Sequence, residues 1–165
     1  MYCLGIDLGS TTIKYVLLDE KGQTLARDYL RHQSAVVETL RGMLSELERR
    51  VDLCGQKLRV VFSGSGALGV AQQVQGAFVQ EVVAASVFLK NRAPGLDAAV
   101  ELGGEDAKLL YLSNGVELRM NEACAGGTGA FIDQMASLLD TDAAGLDQLA
   151  LSASVSHPIA SRCGV

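Results

Sequence analysis

The sequence predicts an α/β fold built twice over, the second copy incomplete. Three observations predict it: a glycine-bearing β-hairpin at Gly5 to Lys14, an echo of that hairpin 94 positions later, and an amphipathic helical stretch after the first strands. Sliding the chain against itself lays Val100 to Lys108 over Ile6 to Lys14. Leu8, Gly9 and Lys14 then recur as Leu102, Gly103 and Lys108, and acid answers acid at Asp7 and Glu101.

The first hairpin is an apolar run from Tyr2 to Leu8, broken only by Asp7, that empties into Gly-Ser-Thr-Thr before a second β-rich run, Ile13 to Leu18. Gly9 lets the backbone turn and approach a ligand closely. Ser10, Thr11 and Thr12 offer hydroxyl and amide donors, and Lys14 supplies positive charge. These are the parts of a phosphate cradle, although Gly-Ser-Thr turns also close ordinary hairpins. The echo contributes Gly103 and Gly104. Two such hairpins facing one another across a pseudo-twofold axis can hold the phosphates of one nucleotide, with the acids Asp7, Glu101 and Asp106 directed at Mg²⁺.

Taken in order, strands at about 2–8, 13–19 and 24–30 form an antiparallel meander with Gly22 in its second turn. A helix follows from an N-cap at Ser34, with Val36, Val37, Leu40, Leu44, Leu47 and Val51 on its packing face and Glu38, Arg41, Glu46, Glu48 and Arg49 opposite. Lys57 to Phe62 is the next strand. Ser63-Gly-Ser-Gly66 turns it into a short helix, a tight connection whose glycines can also border a ligand. Val79 to Leu89 reads as a helix with apolar Val82, Val83, Val87 and Leu89 and with Glu81 near its start.

Ala93-Pro-Gly95 is the clearest break, dividing the chain into a first domain, 1–92, and the beginning of a second, 97–165. A second copy as long as the first would run past about residue 190, so the sequence is expected to be a fragment lacking its later strands and helices and whatever holds adenine. Gly115 to Met120 closes the second set of strands. Phe131, Ile132, Met135, Leu138 and Leu139 mark the helix after it.

With 165 residues, 48% of them hydrophobic and 20% charged, the chain can bury a real core, and disorder is not indicated. A net charge of -5, with neither long basic runs nor a basic-aromatic stripe, argues against nucleic acid and anionic membrane as main partners. The N-terminal apolar stretch is too short to span a membrane and has no basic region before it. Cys3, Cys54, Cys124 and Cys163 lie far apart without a Cys-x-x-Cys pair, which excludes a self-contained zinc finger or ferredoxin pattern and makes a reducing cytoplasm the default.

Cys124 and its glycines stand at or next to the start of the last helix, where backbone amides and the positive dipole end stabilise a thiolate or an anionic cluster. Cys163 follows 39 residues later. Without their flanking motifs both also read as buried free thiols, and Cys3 and Cys54 read as structural.

The Asp-Leu-Gly-Ser-Thr-Thr hairpin and its Gly-Gly-Glu-Asp echo resemble the phosphate loops of the acetate and sugar kinase, actin and heat-shock chaperone superfamily of ATPases. Asn121-Glu-Ala-Cys-Ala-Gly-Gly-Thr-Gly129 and Ser161-Arg-Cys-Gly164 resemble, more narrowly, the ATPase activators of 2-hydroxyacyl-CoA dehydratases and benzoyl-CoA reductases. The resemblance covers the chain from end to end. It implies an RNase H-like, actin-like ATPase domain with a mixed five-stranded sheet, present twice, and ATP or ADP with Mg²⁺ as ligands. It further implies a homodimer sharing one [4Fe-4S] cluster on Cys124 and Cys163, a dehydratase-type iron-sulfur partner, and a ferredoxin or flavodoxin as electron donor. In the superfamily the residue that orients the attacking water often sits just before a helix like that at Val79 to Leu89, which points to Glu81.

Departures from the family pattern are Glu101 and Glu105, where Asp and Gln are usual, and Gly126 in place of an alanine. The longer Glu101 shifts the metal and Glu105 adds negative charge beside a triphosphate, which disfavours hydrolysis more than nucleotide binding; because the second copy is incomplete, the fragment alone is expected to hydrolyse ATP poorly or not at all. A sugar or carboxylate kinase of the same superfamily and a non-catalytic nucleotide sensor stay open as alternatives; the kinase leaves Cys124 and Cys163 unexplained.

Overall fold

The computed structural model describes residues 1–113, 115–121 and 126–157. It divides into two units, Met1–Arg92 and Ala93–Val165. Cys124 and Cys163 lie outside the described residues.

In the first unit, β1 (Tyr2–Leu8), β2 (Thr12–Leu18) and β3 (Thr24–Arg31) form the expected antiparallel meander, and β4 (Leu58–Ser63) and β5 (Ala77–Phe78) add in parallel on the other side of β1. The order β3-β2-β1-β4-β5 makes this a mixed five-stranded sheet. Strand alternation explains how it faces: Leu4, Ile6 and Leu8, with Ile13, Tyr15 and Leu17, form one buried side, joined by Met43 and Leu47 of α1 (Val36–Arg50). Gly5 and Asp7 thereby fall on the opposite side. Leu8, Ile13 and Leu17 have no exposed surface, and each such burial stabilises the unit by roughly 1.5–3 kcal/mol.

Three expectations are corrected. Ser34 is not the N-cap of α1: Ala35 holds that place, and Ser34 sits at φ 68°, its N–H given to His32 Nδ1 at 3.1 Å. Val37 is exposed, and Met43 takes the core position, because the buried stripe runs through Val36, Leu40, Met43, Leu44 and Leu47. The later helix, α3, spans Glu81–Arg92, and its Val83 and Val87 are exposed. α2 (Ala67–Gln73) buries Ala67 and Ala71 against the sheet, and the two-residue β5 carries too little pattern to be read from sequence.

The second unit begins with an antiparallel sheet of β6 (Ala98–Leu102), β7 (Ala107–Tyr111) and β8 (Glu117–Met120), followed by α4 (Gly129–Leu138) and α5 (Ala143–Ser152). Leu110, Leu112 and Ala136 are buried hydrophobics, and Thr128, the N-cap of α4, is wholly buried. α5 starts where the Asp142 carboxylate accepts the Gly145 N–H at 2.8 Å, an N-cap bond that closes its first turn.

Candidate functional site

In the first hairpin, Asp7 pairs directly across the ladder with Lys14, and Leu8 with Ile13. The Gly9 N–H closes the turn on the Thr12 carbonyl at 2.9 Å. Lys14 Nζ donates to Asp7 Oδ2 at 2.7 Å, while Asp7 Oδ1 is buried with no partner among the described residues. Thr12 is packed inside, leaving Ser10 and Thr11 as the more accessible hydroxyls of the turn. Gly9 leaves little room for a side chain: a Cβ there would stand 3.3 Å from the Thr12 carbonyl oxygen.

His32 pins this loop from behind, and no motif marks it in the sequence. It is buried; its backbone N–H donates to the Thr11 carbonyl at 3.2 Å, and its Nδ1 accepts from Ser34 N–H at 3.1 Å. A ring nitrogen that accepts carries no proton, so the proton of the neutral ring is on Nε2, which lies 3.3 Å from the Gly9 carbonyl and donates to it. The sequence signal is slight: one of only two histidines, directly after β3.

A cleft of about 620 Å³ opens on the Asp7 side of the sheet, lined by Asp7, Lys14, Ser63, Val79, Val83 and Ala84 among others. Ser63 stands beside Asp7 in the parallel β1–β4 register. The loop after it closes over the end of β1: the Gly66 N–H donates to the Leu8 carbonyl at 2.9 Å, and Gly64 has φ 95°. A Cβ at Gly64 would overlap Asp7 Oδ1 and the Leu8 carbonyl oxygen. The Ser63-Gly-Ser-Gly66 segment is therefore both a strand-to-helix connection and a wall of the Asp7 pocket. Glu81 opens α3 but is not among the residues lining this cleft.

The second hairpin repeats the first at the same offset. Glu101 pairs with Lys108 and Leu102 with Ala107, and the Gly103 N–H closes on the Asp106 carbonyl at 2.8 Å, as Gly9 closes on Thr12. Lys108 Nζ lies 3.2 Å from Glu101 Oε2 and 3.0 Å from Asp106 Oδ2. Here the lysine is 5% exposed, against 39% for Lys14. A Cβ at Gly103 would overlap Asp106 Oδ1, so glycine keeps that carboxylate in place.

The loop is also tied to the helix that follows the cysteine motif. The first two amides of α4, Gly129 and Ala130, donate to the Gly103 and Gly104 carbonyls at 2.8 and 2.9 Å. Gly129 permits that approach, since a Cβ there would be 3.1 Å from the Gly103 oxygen. Among the described residues no three His, Cys, Asp or Glu side chains converge as a metal-binding group. Cys3 and Cys54 are free thiols, and no helix of the described residues is long and apolar enough to cross a membrane.

Residues 4–165 match the profile of the BadF/BadG/BcrA/BcrD ATPase family. The chain is 25% identical, over 170 residues, to the (R)-2-hydroxyglutaryl-CoA dehydratase activating ATPase of Acidaminococcus fermentans, covering 100% of this chain and 64% of that relative. The crystal structure of component A of (R)-2-hydroxyglutaryl-CoA dehydratase from the same species superposes with a TM-score of 0.85 at 25% identity, over 99% of this chain and 63% of that one. The activator of 2-hydroxyisocaproyl-CoA dehydratase from Clostridium difficile, solved with bound ADPNP, superposes with a TM-score of 0.78 at 26% identity, over 99% and 61%. The chain thus spans less than two thirds of the length of these relatives, and its α/β fold is that of the actin-like activator ATPases.

Proposed function

The chain belongs to the BadF/BadG/BcrA/BcrD ATPase family, and from that premise we propose that it is the nucleotide-responsive part of an ATP-dependent activator serving a 2-hydroxyacyl-CoA dehydratase-type partner. The observation that carries the reading is the pair of backbone hydrogen bonds from Gly129 and Ala130 to Gly103 and Gly104. They join a glycine loop of the phosphate-binding type to the helix that follows Cys124. A change at the loop reaches the start of α4 through backbone hydrogen bonds, without an intervening side chain.

In this reading Gly9, Ser10, Thr11, Thr12, Lys14, Gly103 and Gly104 bind the phosphates of ATP or ADP. Asp7, Glu101 and Asp106 approach Mg²⁺, directly or through water. The fit to a hard cation rests on Asp7, whose Oδ1 is a buried carboxylate oxygen with no partner among the described residues. Lys14 releases Asp7 and turns to phosphate, and Glu81 orients the attacking water.

Cys124 and Cys163, paired with the same residues of a second copy, make the four-thiolate donor set that suits one [4Fe-4S] cluster. When bound, Mg²⁺ would neutralise phosphate charge, and a cluster held by Cys124 and Cys163 of two copies would supply a one-electron carrier between a ferredoxin or flavodoxin and the partner's iron-sulfur centre. Closure on ATP shifts α4 and with it the exposure of the cysteine segment.

Anaerobic purification with iron and sulfide assay tests this. About four irons per dimer are expected, lost in both Cys124→Ser and Cys163→Ser. A colourless protein whose iron content is unchanged by either substitution refutes it.

A further inference from the structure

Asp7 Oδ1 is not alone in its cleft. Ser63 Oγ is a second buried oxygen with no partner among the described residues, and the two residues are register neighbours at the C-terminal ends of parallel strands β1 and β4. Both line the same cleft, together with Lys14. Burying a hydroxyl without a hydrogen bond costs desolvation free energy, and an alanine would occupy this strand end without that cost. Gly64, which cannot carry a Cβ without striking Asp7 Oδ1, keeps a side chain off that oxygen.

Two adjacent oxygens, one anionic and one neutral, in a cleft of about 620 Å³ suit a hydrated divalent cation better than a bare anion. Mg²⁺ gives up its waters reluctantly and is commonly held through them, each water donating two hydrogen bonds. We propose that Ser63 is a further binding residue of this site, its hydroxyl accepting, beside Asp7 Oδ1, from water on the divalent cation that accompanies the nucleotide. The proposal rests on the reading of Asp7 given above. It also gives the Ser63-Gly-Ser-Gly66 segment a function beyond turning the chain.

The test compares Mn²⁺·ADP binding, by calorimetry and by the electron paramagnetic resonance of bound Mn²⁺, in the parent chain, Asp7→Asn, Ser63→Ala and the isosteric pair Ser63→Thr and Ser63→Val. Ser63→Ala and Ser63→Val are expected to weaken Mn²⁺·ADP binding about tenfold, the scale of one hydrogen bond in a charged site. Metal-free ADP binding should stay unchanged, and Ser63→Thr should bind like the parent. Asp7→Asn should weaken Mn²⁺·ADP binding at least as much. If Asp7→Asn is impaired while Ser63→Ala and Ser63→Val bind normally, the Ser63 assignment falls and the Asp7 reading stands. Equal loss with and without metal in the Ser63 variants also overturns it. A parent chain that binds neither Mn²⁺·ADP nor Mn²⁺·pyrophosphate, or an Asp7→Asn variant that binds as the parent does, sinks both.

Discussion

Lys108 and Glu101 face each other directly across the β6–β7 ladder with Nζ and Oε2 3.2 Å apart, just as Lys14 and Asp7 do across β1–β2 at 2.7 Å. The same acid-lysine pair at the same register is used differently in the two hairpins. Lys14 is partly solvated and holds one carboxylate, whereas Lys108 is buried and bridges Glu101 and Asp106.

That asymmetry predicts unequal costs of removal. Lys14→Met should cost under about 1 kcal/mol, the scale of a partly exposed pair. Lys108→Met removes the cation that bridges the Glu101 and Asp106 carboxylates. Both are about one-third exposed, so the loss should fall below the ~3–5 kcal/mol of a fully buried pair, at roughly 2–3 kcal/mol. Urea unfolding of the two variants measures the difference, and equal midpoints would show that Lys108 carries no special burden.

His32 predicts a local effect on the first loop. It is bonded through Nε2 to Gly9, through its backbone N–H to Thr11, and through Nδ1 to Ser34. His32→Ala should cost about 1 kcal/mol, because the Gly9 carbonyl and the Ser34 N–H lose the ring nitrogens that bond them. It should also weaken ADP binding by loosening the Gly9–Thr12 turn. An ADP affinity equal to the parent's in a destabilised variant would separate the two roles.

Gly129 tests the link from loop to helix. Gly129→Ala puts a Cβ 3.1 Å from the Gly103 oxygen, tighter than ordinary contact but within what a small shift can relieve. The expected cost is about 1–2 kcal/mol. In the reconstituted dimer, the rate at which a chelator strips iron should cease to differ between ADP-bound and ADPNP-bound protein. A rate that still responds fully to nucleotide would mean the Gly103 and Gly104 contacts do not carry the signal.

Much of this arrangement was legible because period and punctuation are local. Alternation fixed the meander, and the glycine spacing made the second hairpin an echo of the first, which the matching Asp7–Lys14 and Glu101–Lys108 registers now express in backbone pairing. What stayed hidden depends on distant partners. His32 belongs to the site only because the end of β3 lies beside the Gly9 turn, and Ser63 only because β4 enters parallel to β1. Ser34 failed as a cap because His32 Nδ1 takes its N–H and the chain there turns left-handed. The exposed Val83 and Val87 show that an apolar sequence position does not by itself name what it packs against.

Tyr15 gives the pH dependence. Its phenol is buried without a partner among the described residues. Burial first, and then the nearby Asp28 carboxylate, push its pKa above the ordinary value of 10, with Arg50 opposing and Glu46 adding to the rise. The folded state therefore favours the protonated phenol. Its contribution is fully present below about pH 10, where the unfolded chain titrates, and is lost as pH rises through the higher folded value. Tyr15→Phe removes both the stranded hydroxyl and this titration. At pH 7 the variant should be as stable as the parent or up to about 1 kcal/mol more so. Above about pH 10 the difference should move further in favour of Phe. Guanidinium unfolding of parent and variant at a series of pH values measures that difference, and a variant that is less stable by more than about 1 kcal/mol at pH 7 would mean that the Tyr15 hydroxyl does hold a hydrogen bond.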